Sequence, residues 1–373
     1  MNRLVIIGNG FDLSLGLKTS YNHFLTNYIQ KLVVELFEKS KFSREIVSDP
    51  KLGNTFQTED DLILIKIPEY FLINPKKSEE YINEIKRIEV FREIIQYISK
   101  YGSIKFKSLL LKEIFQSSEL KNWIDIEVLY FDTMISIYRR FESKPELEKK
   151  IGEYNSNFQF LKTKLVDYLL GIKIDLGNNN LDFYVGNFIE KLITPDDNGM
   201  TLSNIMFLSF NYTRSLEEIR KYYLGDKKLK INYIHGNISD PDSIIFGFGD
   251  ESDKNYLELK DGRNAELLEN IKRFHYPIEK KYDELGLFLD SGIYEVWIVG
   301  HSCGVSDRTI LQEIVQNDNC KSIKIFHYDI QNPKKEYRQK STQLMKFFSP
   351  SDKRPTLNFD PNDVMFQLQK RKN

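Results

Sequence analysis

A short apolar stretch that runs directly into spaced glycines constrains the fold more than any other feature of the chain. Residues 4–7 read Leu-Val-Ile-Ile and predict a buried strand, and the glycines after it follow the spacing G-x-G-x(5)-G. Without a Cβ, a glycine lets backbone N–H groups approach a phosphate, and the next helix offers its positive N-terminal end. The stretch therefore predicts the first βα unit of a dinucleotide-binding fold. Its predicted nucleotide-binding residues are Gly8, Asn9, Gly10, Phe11, Asp12 and Gly16.

The spacing of these glycines differs from the G-x-G-x-x-G of enzymes that transfer hydride to or from a dinucleotide. It favours a different nucleotide chemistry. A tight connection between a strand and a helix, with no ligand, is the alternative interpretation of the same glycines. The position of the turn favours the nucleotide site, because such folds place their phosphate-binding loop after the first strand.

Composition argues against several classes of protein. Lys and Arg number 53 against 54 Asp and Glu, so the chain lacks the basic excess that drives binding to nucleic acid. Two cysteines are too few for a disulfide framework or a four-cysteine zinc site, which favours a reducing cytoplasm. The sequence contains no apolar run near the roughly 20 residues that cross a bilayer, and no H-E-x-x-H or paired C-x-x-C indicates a metal site.

The length of 373 residues, 41% of them hydrophobic, allows two or three structural units. Between residues 21 and 193 the apolar residues repeat at helical spacing. Helices are predicted at about 29–37, 82–98, 103–115, 124–141, 145–170 and 181–192. A strand at 61–68 is suggested by its apolar residues, but Pro68 and its isolation argue against it. The predicted organisation is a nucleotide-binding α/β domain of residues 1–24 and 200–373, interrupted by a helical insertion domain of residues 25–199.

After residue 200 the pattern changes to short continuous apolar runs, as expected for strands that are covered on both faces. The predicted strands are 205–210, 230–234, 243–246, 294–299 and 322–326. Helical stretches between strands imply a doubly wound parallel sheet, whose ligands bind beyond the carboxyl ends of the strands. Asn211, His235, Ser302 and Asp329 each follow such a strand closely. They are therefore expected to meet the Gly8 turn in one cleft.

Asn211 and His235 follow consecutive predicted strands and are the candidate catalytic residues. A histidine near its ordinary pKa of about 6.5 can act as a general base, and a carboxamide can orient water or a sugar hydroxyl. The structural alternatives are a helix cap for Asn211 and a turn before Gly236 for His235. Asp329 is the predicted ribose ligand, since a carboxylate that closes a strand can accept both ribose hydroxyls.

Residues 300–304 read Gly-His-Ser-Cys-Gly and fit G-x-S-x-G, the nucleophile elbow of serine hydrolases. A serine hydrolase with Ser302 as nucleophile is therefore an alternative function. The elbow also needs a downstream acid and histidine, and the one later histidine, His327, closes a predicted strand. Gly300 and Ser302 are instead assigned to the nucleotide site. Asp307 opens the next helix, where it either complements the helix dipole or contacts the ligand.

Several of these motifs together resemble the AbiH family of bacterial phage abortive-infection proteins. The motifs that carry the resemblance are residues 4–21, Trp123 to Glu127, Ser209 to Thr213, Ile234 to Gly236 and Gly300 to Asp307. The resemblance spans nearly the whole chain, and the N-terminal motif is its most specific part. It implies a role in defence against bacteriophage.

A more distant resemblance is to sirtuins, whose pattern is G-A-G-x-S-x-x-x-G-[IL]-P, then an Asn, then H-G, then G-T-S. The residues that fall at this spacing are Gly8, Gly10, Gly16, Leu17, Asn211, His235, Gly236, Gly300 and Ser302. The chain departs from sirtuins at Asp12, which replaces a serine, at Lys18, which replaces a proline, and in lacking the four zinc cysteines. In this it is more similar to the sirtuin-like NAD hydrolases of anti-phage systems, in which the equivalents of Asn211 and His235 are catalytic.

The resemblance therefore implies a sirtuin-like, Rossmann-type domain that binds NAD as its substrate, uses no metal and cleaves the bond between nicotinamide and ribose. A non-catalytic nucleotide sensor that triggers a partner is a further alternative, beside the serine hydrolase. The expected ligand is a nucleotide, and the sequence leaves open a second copy of the chain and a phage protein trigger as partners. The expected location is the cytoplasm.

Overall fold

The computed structural model describes residues 1–39, 46–117, 123–141, 143–174, 176, 179–195, 201–225, 229–261, 264–278, 280–329, 331–348 and 352–366. The chain divides into two compact units. The first unit consists of Met1–Thr19, Leu169–Arg263 and Leu268–Asn373, and the second unit consists of Ser20–Tyr168 and Asn264–Leu267.

The described residues form ten strands and fifteen α-helices. The strands are β1 (Asn2–Ile7), β2 (Val47–Asp49), β3 (Gly53–Glu59), β4 (Ile63–Pro68), β5 (Ser103–Phe106), β6 (Ile205–Ser209), β7 (Lys230–Tyr233), β8 (Tyr294–Val299), β9 (Cys320–Ile325) and β10 (Thr356–Asn358). The helices are α1 (Asn9–Ser14), α2 (Tyr21–Lys39), α3 (Glu69–Ile73), α4 (Pro75–Arg87), α5 (Phe91–Tyr101), α6 (Leu109–Gln116), α7 (Trp123–Arg140), α8 (Lys144–Leu170), α9 (Asn179–Ile193), α10 (Ser215–Ile219), α11 (Lys254–Asp261), α12 (Lys272–His275), α13 (Lys281–Asp290), α14 (Arg308–Gln316) and α15 (Pro333–Met345).

The first unit is built on a six-stranded sheet with the strand order β10-β9-β8-β1-β6-β7. Every neighbouring pair of strands in it is parallel. β1 pairs with β6 on one side and with β8 on the other, so Ile7 lies opposite both Ser209 and Val299. The prediction that the N-terminal strand joins a parallel sheet with strands after residue 200 is confirmed.

The order of the strands reverses between β1 and β8. From β1 the sheet grows through β6 to β7, and β8 then begins the other half, which continues through β9 to β10. This is the doubly wound order of dinucleotide-binding folds, in which ligands bind at the reversal, beyond the carboxyl ends of the strands. The loops that begin at Gly8 and Gly300 follow β1 and β8 and lie at that point.

Both faces of this sheet are apolar and both are covered by helices. Successive side chains of a strand point to opposite faces. Leu4 and Ile6 belong to one buried cluster, with residues of α13 and α14, while Val5 and Ile7 belong to another, with residues of α9 and α10. Each of these fully buried aliphatic side chains contributes roughly 1.5–3 kcal/mol to folding. The double coverage explains why the strands are continuous apolar runs in the sequence.

The second unit contains the antiparallel sheet β2-β3-β4-β5 together with helices from α2 to α8. The prediction of long amphipathic helices is confirmed for α2, α7 and α8. Residues 61–68 do contain a strand, β4, which is not isolated because β3 and β5 pair with it on its two sides.

Two predicted helices of this unit are wrong in their extent. The helix predicted at 82–98 is two helices, α4 and α5, because Ile88 takes an extended conformation with φ −71° and ψ 123°. The helix predicted at 103–115 begins instead with β5, in which Ile104 lies opposite Ile65 of β4. Four residues are too few to display a strand period, so the pairing partner decides the conformation.

The strand predicted at 243–246 is also wrong. A 3-10 turn at Pro241–Ser243 leads into an irregular segment, in which the N–H of Ile245 donates to the carbonyl of His235 at 2.9 Å. Ile244, Ile245 and Phe246 are buried because they pack at the carboxyl end of β7, and they do not extend the sheet. The last strand of the sheet is β10, which follows the predicted strand at 322–326 and pairs with β9.

No helix in the described part of the chain is both long and apolar enough to cross a membrane.

Candidate active site

The loops after β1 and β8 meet where the strand order reverses, and glycines allow the contact. A Cβ on Gly8 would lie 2.5 Å from His301 Cα, and one on Gly10 would lie 2.8 Å from Gly300 O. Gly300 has φ +68°, and a Cβ there would lie 2.2 Å from Phe11 N. Any other residue at these glycine positions would therefore have to displace a backbone segment.

Three N–H groups of the glycine turn are bonded to protein carbonyls. Gly8 N–H donates to Val299 O at 3.0 Å, Gly10 N–H to Gly300 O at 2.9 Å, and Phe11 N–H to Gly8 O at 2.9 Å. The first two bonds hold the loops after β1 and β8 together. Close packing of the two loops is therefore a structural reason for glycine at these positions. The assignment of this turn to nucleotide phosphates stays a prediction.

Gly16, the third glycine of the motif, closes helix α1. Its φ is +79°, its N–H donates to Leu13 O at 3.0 Å, and the N–H of Leu17 donates to Asp12 O at 3.1 Å. This pair of bonds around a left-handed residue is the Schellman motif, which ends many helices. The backbone conformation alone therefore favours glycine here, and a ligand contact by Gly16 stays a prediction.

Asp12 is buried on α1 and faces the loop after β6. Its carboxylate accepts hydrogen bonds from the hydroxyls of Thr213 and Ser215. Burial raises the pKa of Asp12 to about 6, although hydrogen bonds from Ser215, Thr213 and Asn211 lower it. Asp12 thus connects the glycine turn to the loop that carries Asn211.

Asn211 follows β6 and its side chain reaches the glycine turn. Its Nδ2 donates to the carbonyl oxygen of Gly8 at 3.2 Å, and the residue is buried. Because β6 and β1 are parallel neighbours, the residues that follow them lie at the same edge of the sheet. The structure therefore places Asn211 beside the turn, and its catalytic role stays a prediction.

His235 follows β7 and is 3% exposed. Its Nε2 lies 3.2 Å from the hydroxyl of Tyr276 and 3.5 Å from Asp307 Oδ1. Burial lowers the pKa of His235 to about 3; the ammonium of Lys272 also lowers it, while Asp307 raises it. The ring is therefore neutral at physiological pH and retains a nitrogen lone pair that can accept a proton.

The carboxylate of Asp307 gathers three nitrogen-bearing side chains. Lys272 Nζ lies 2.7 Å from Oδ1, the oxygen that His235 also approaches, and His301 Nε2 lies 3.4 Å from the other oxygen, Oδ2. Burial raises the pKa of Asp307, but Lys272 and the two histidines outweigh burial and hold that pKa well below its ordinary range. We call these four buried residues, Asp307, Lys272, His235 and His301, the Asp307 cluster.

His301 has one tautomer that fits its neighbours. Its Nδ1 accepts a hydrogen bond from the backbone N–H of Cys303 at 3.0 Å, so Nδ1 carries no hydrogen. The hydrogen of the neutral ring is then on Nε2, which faces Asp307. Phe210 packs against both histidines of the cluster, with ring centroids 4.4 Å from His301 and 5.0 Å from His235.

A family model described as Bacteriophage abortive infection AbiH matches residues 4–329. The chain belongs to the AbiH family. The matched region includes the glycine turn, Asn211 and the whole Asp307 cluster. Comparison with curated proteins gave no match. Membership in AbiH confirms the predicted family and assigns the chain to phage abortive infection.

In this AbiH member, residues 300–304 do not form a nucleophile elbow at Ser302. The positive φ, 55°, falls on Cys303, whereas an elbow strains the nucleophile itself. Ser302 is exposed, and no hydrogen bond joins its hydroxyl to a histidine within the described ranges. Cys303 is buried, and burial raises the pKa of its thiol to about 12, so the thiol stays protonated.

Asp329 follows β9, at the same edge of the sheet as the Asp307 cluster but two strands away from β1. It is exposed, and its Oδ1 accepts hydrogen bonds from the N–H groups of Gln331 at 3.0 Å and Asn332 at 3.1 Å. These bonds form the turn that leads into α15. Its contact with a ribose stays a prediction.

Three residues of the candidate site are not evident from the sequence: Lys272, Tyr276 and His301. The signal that could have found His301 is its position directly after the strand and Gly300, where polar residues face a ligand. Lys272 and Tyr276 carry no such signal, because they lie in the irregular region between β7 and α13. Among the residues that the structure describes, no group of three or more His, Cys, Asp or Glu side chains could hold a metal ion.

Proposed function

We propose that this AbiH-family chain acts in phage abortive infection by hydrolysing NAD between nicotinamide and ribose, at the reversal between β1 and β8. The observation that carries the proposal is the convergence of Asn211 and His235. Asn211 bonds the carbonyl of Gly8, and Phe210, which precedes it, packs against His235. The resemblance of the short motifs to sirtuin-like NAD hydrolases supports the choice of substrate.

The reaction depends more on the correct positioning of NAD and the attacking water than on a strong base. Nicotinamide leaves as a neutral group when the bond from C1′ to its ring nitrogen breaks, and the positive charge that develops on the sugar attracts water. A water oxygen bonds to C1′ and its proton passes to His235 and then to solvent, giving ADP-ribose, nicotinamide and a proton. A neutral His235 accepts this proton even with a low pKa, because water that attacks a cationic carbon is already acidified.

The remaining predicted residues would bind the nucleotide. Asn211 orients the ribose or the attacking water, and Asp307 holds the His235 ring in place. The residues proposed to contact NAD are Gly8, Asn9, Gly10, Phe11, Asp12, Gly16, Gly300, Ser302, Asp307 and Asp329.

Entry of the substrate requires movement of a protein segment. His235 and Asn211 are both buried, and Ile245, in the segment after the Pro241–Ser243 turn, bonds the carbonyl of His235. Gly247 has φ +159° and lies against the carbonyl of Asn270, so a side chain at 247 could not be accommodated there. We infer that residues 244–246, which precede this close contact, move when NAD enters.

Incubation of the purified chain with NAD, followed by measurement of nicotinamide release, tests the proposal. Asn211→Ala and His235→Ala should each reduce the rate by about 10²-fold or more while the protein stays folded. Ser302→Ala should mainly raise KM. His23→Ala, which changes a histidine of the second unit, is the matched control and should retain full activity.

Absence of nicotinamide release by the unaltered protein would contradict the proposal. Binding of NAD without turnover, measured by calorimetry, would then identify a nucleotide sensor.

A further inference from the structure

Lys272 places an ammonium group in the interior of the first unit. The residue is 1% exposed, and its Nζ lies 2.7 Å from Asp307 Oδ1. A buried ion pair contributes little net stability, because desolvation of the two charges offsets their attraction. Net stability therefore does not explain why this ion pair is buried here. The two histidines at the same carboxylate indicate a role for the pair in their protonation.

The backbone at Lys272 is held by its neighbours independently of the ion pair. The N–H of Lys272 donates to Phe248 O at 2.8 Å, and Phe248 forms a parallel bridge with Ile271. A Cβ on Gly249 would lie 2.5 Å from Ser306 O and 3.3 Å from Lys272 Cδ. Close contact of these backbone segments thus brings the lysine to Asp307.

We propose that Lys272 is a positioning residue of this site: its ammonium offsets the negative charge of the Asp307 carboxylate, so that the carboxylate orients the His235 ring without drawing a proton onto it. The inference rests on the proposed function for the use that His235 makes of its lone pair. The protonation state itself is a property of the protein without substrate.

Removal of Lys272 would leave Asp307 as an uncompensated buried charge. Uptake of a proton by a neighbouring group would restore neutrality. At His301 the Nδ1 atom already accepts the hydrogen bond from Cys303 N–H, and a hydrogen on this atom would break that bond. His235 is the other histidine at the carboxylate, so it would take the proton and cease to act as a base.

The other polar groups that face His235 add no competing charge. Tyr276 offers its hydroxyl, and the ring of Tyr212 lies 6.5 Å from the His235 ring. The thiol of Cys303, near Asp307, stays protonated because burial raises its pKa to about 12. Within the described part of the chain, burial has the largest effect on the protonation state of His235, and Lys272, Asp307 and, to a smaller extent, His301 are the neighbouring groups that shift it.

Histidine-selective ¹⁵N labelling of the full chain tests the inference, since the sequence has 5 histidines and few signals overlap. The His235 signals are assigned by their loss in His235→Gln. In the unaltered protein the His235 ring should stay neutral from pH 8 to pH 5. In Lys272→Met its protonation should move upward by about one pH unit or more, into this range. Lys272→Arg, which keeps the charge, should restore the neutral ring.

Lys66→Met is the matched control, because it removes an ammonium 3.0 Å from Asp49 in the second unit. It should leave the His235 signals unchanged. A folded Lys272→Met protein whose His235 stays neutral down to pH 5 would overturn the inference. If that variant does not fold, Lys272→Gln, which keeps a polar side chain without the charge, takes its place and is judged by the same two outcomes. A charged His235 in the unaltered protein at pH 6 would also overturn the inference.

These measurements do not depend on catalysis. Absence of nicotinamide release would remove the proposed function and leave the assigned protonation state intact. Where the protein cleaves NAD, Lys272→Met should move the acidic limb of the pH profile of kcat to higher pH, whereas a merely structural lysine would lower kcat equally at every pH.

Discussion

The carboxylate of Asp12, in helix α1, accepts a hydrogen bond at 2.5 Å from the hydroxyl of Thr213, in the loop after β6. Its other oxygen accepts a second bond, from Ser215, at 2.6 Å. The buried carboxylate thereby fixes helix α1 to the loop that carries Asn211. Because the glycine turn and Asn211 belong to the same proposed site, Asp12 couples the geometry of the site to the stability of the fold.

The free energy of unfolding of Asp12→Asn, relative to that of the unaltered protein, should be higher at neutral pH than at acidic pH. Burial raises the pKa of Asp12 from 3.8 to about 6 in the folded state. As the pH rises between these values, the unfolded chain releases the proton and the folded chain keeps it, so folding becomes less favourable; above pH 6 the penalty is constant. An asparagine cannot ionise and escapes this penalty.

Urea unfolding at pH 4 and pH 7.5 measures the effect. The free energy of unfolding of the variant minus that of the unaltered protein should increase by roughly 2 kcal/mol between the two pH values. A difference that does not change with pH would show that Asp12 does not bind its proton more tightly in the folded state.

Gly10→Ala should destabilise the protein even in the absence of any ligand. Its Cβ would lie 2.8 Å from the backbone oxygen of Gly300, so one of the two loops must shift at a cost of roughly 1–3 kcal/mol. Gly152→Ala, on α8, is the matched control: its Cβ meets nothing within 4 Å, and alanine should stabilise the helix by up to about 1 kcal/mol. Thermal unfolding of both variants distinguishes them. A Gly10→Ala protein as stable as the parent would leave phosphate binding as the reason for this glycine.

Glu295→Gln should destabilise the first unit by roughly 3 kcal/mol, because it leaves a buried guanidinium without its carboxylate. Arg3 Nε donates to Glu295 Oε1 at 2.7 Å, and its guanidinium lies 3.5 Å from the centroid of the Trp297 ring. The double variant Arg3→Met with Glu295→Leu removes both charges and should be more stable than Glu295→Gln in urea unfolding. If the double variant is instead less stable than Glu295→Gln, the ion pair itself stabilises β1 and β8, and the loss in Glu295→Gln is not only the effect of an uncompensated charge.

The strands of the central sheet could be predicted from the sequence because each is a continuous apolar run. Both faces of the sheet are covered, so neither face requires polar residues, and the run at 4–7 is visible without any knowledge of its partners. The same rule misassigned residues 243–246. Their apolar side chains are buried by packing at the end of β7, and burial alone does not distinguish a strand from an irregular segment.

The sequence by itself determined that Asn211 and His235 lie at the carboxyl edge of a parallel sheet near the first glycine turn, because each directly follows an apolar strand. The tertiary structure alone decided that Asp307, 35 positions beyond Lys272, receives its ammonium and both histidines. It also decided that Gly8 and Gly10 pack on the loop at Gly300. Periodicity and strand ends report the face and edge on which a residue lies. A contact between two loops depends on the paths of both loops. These paths are fixed only when distant segments pack together and exclude water from the charges between them.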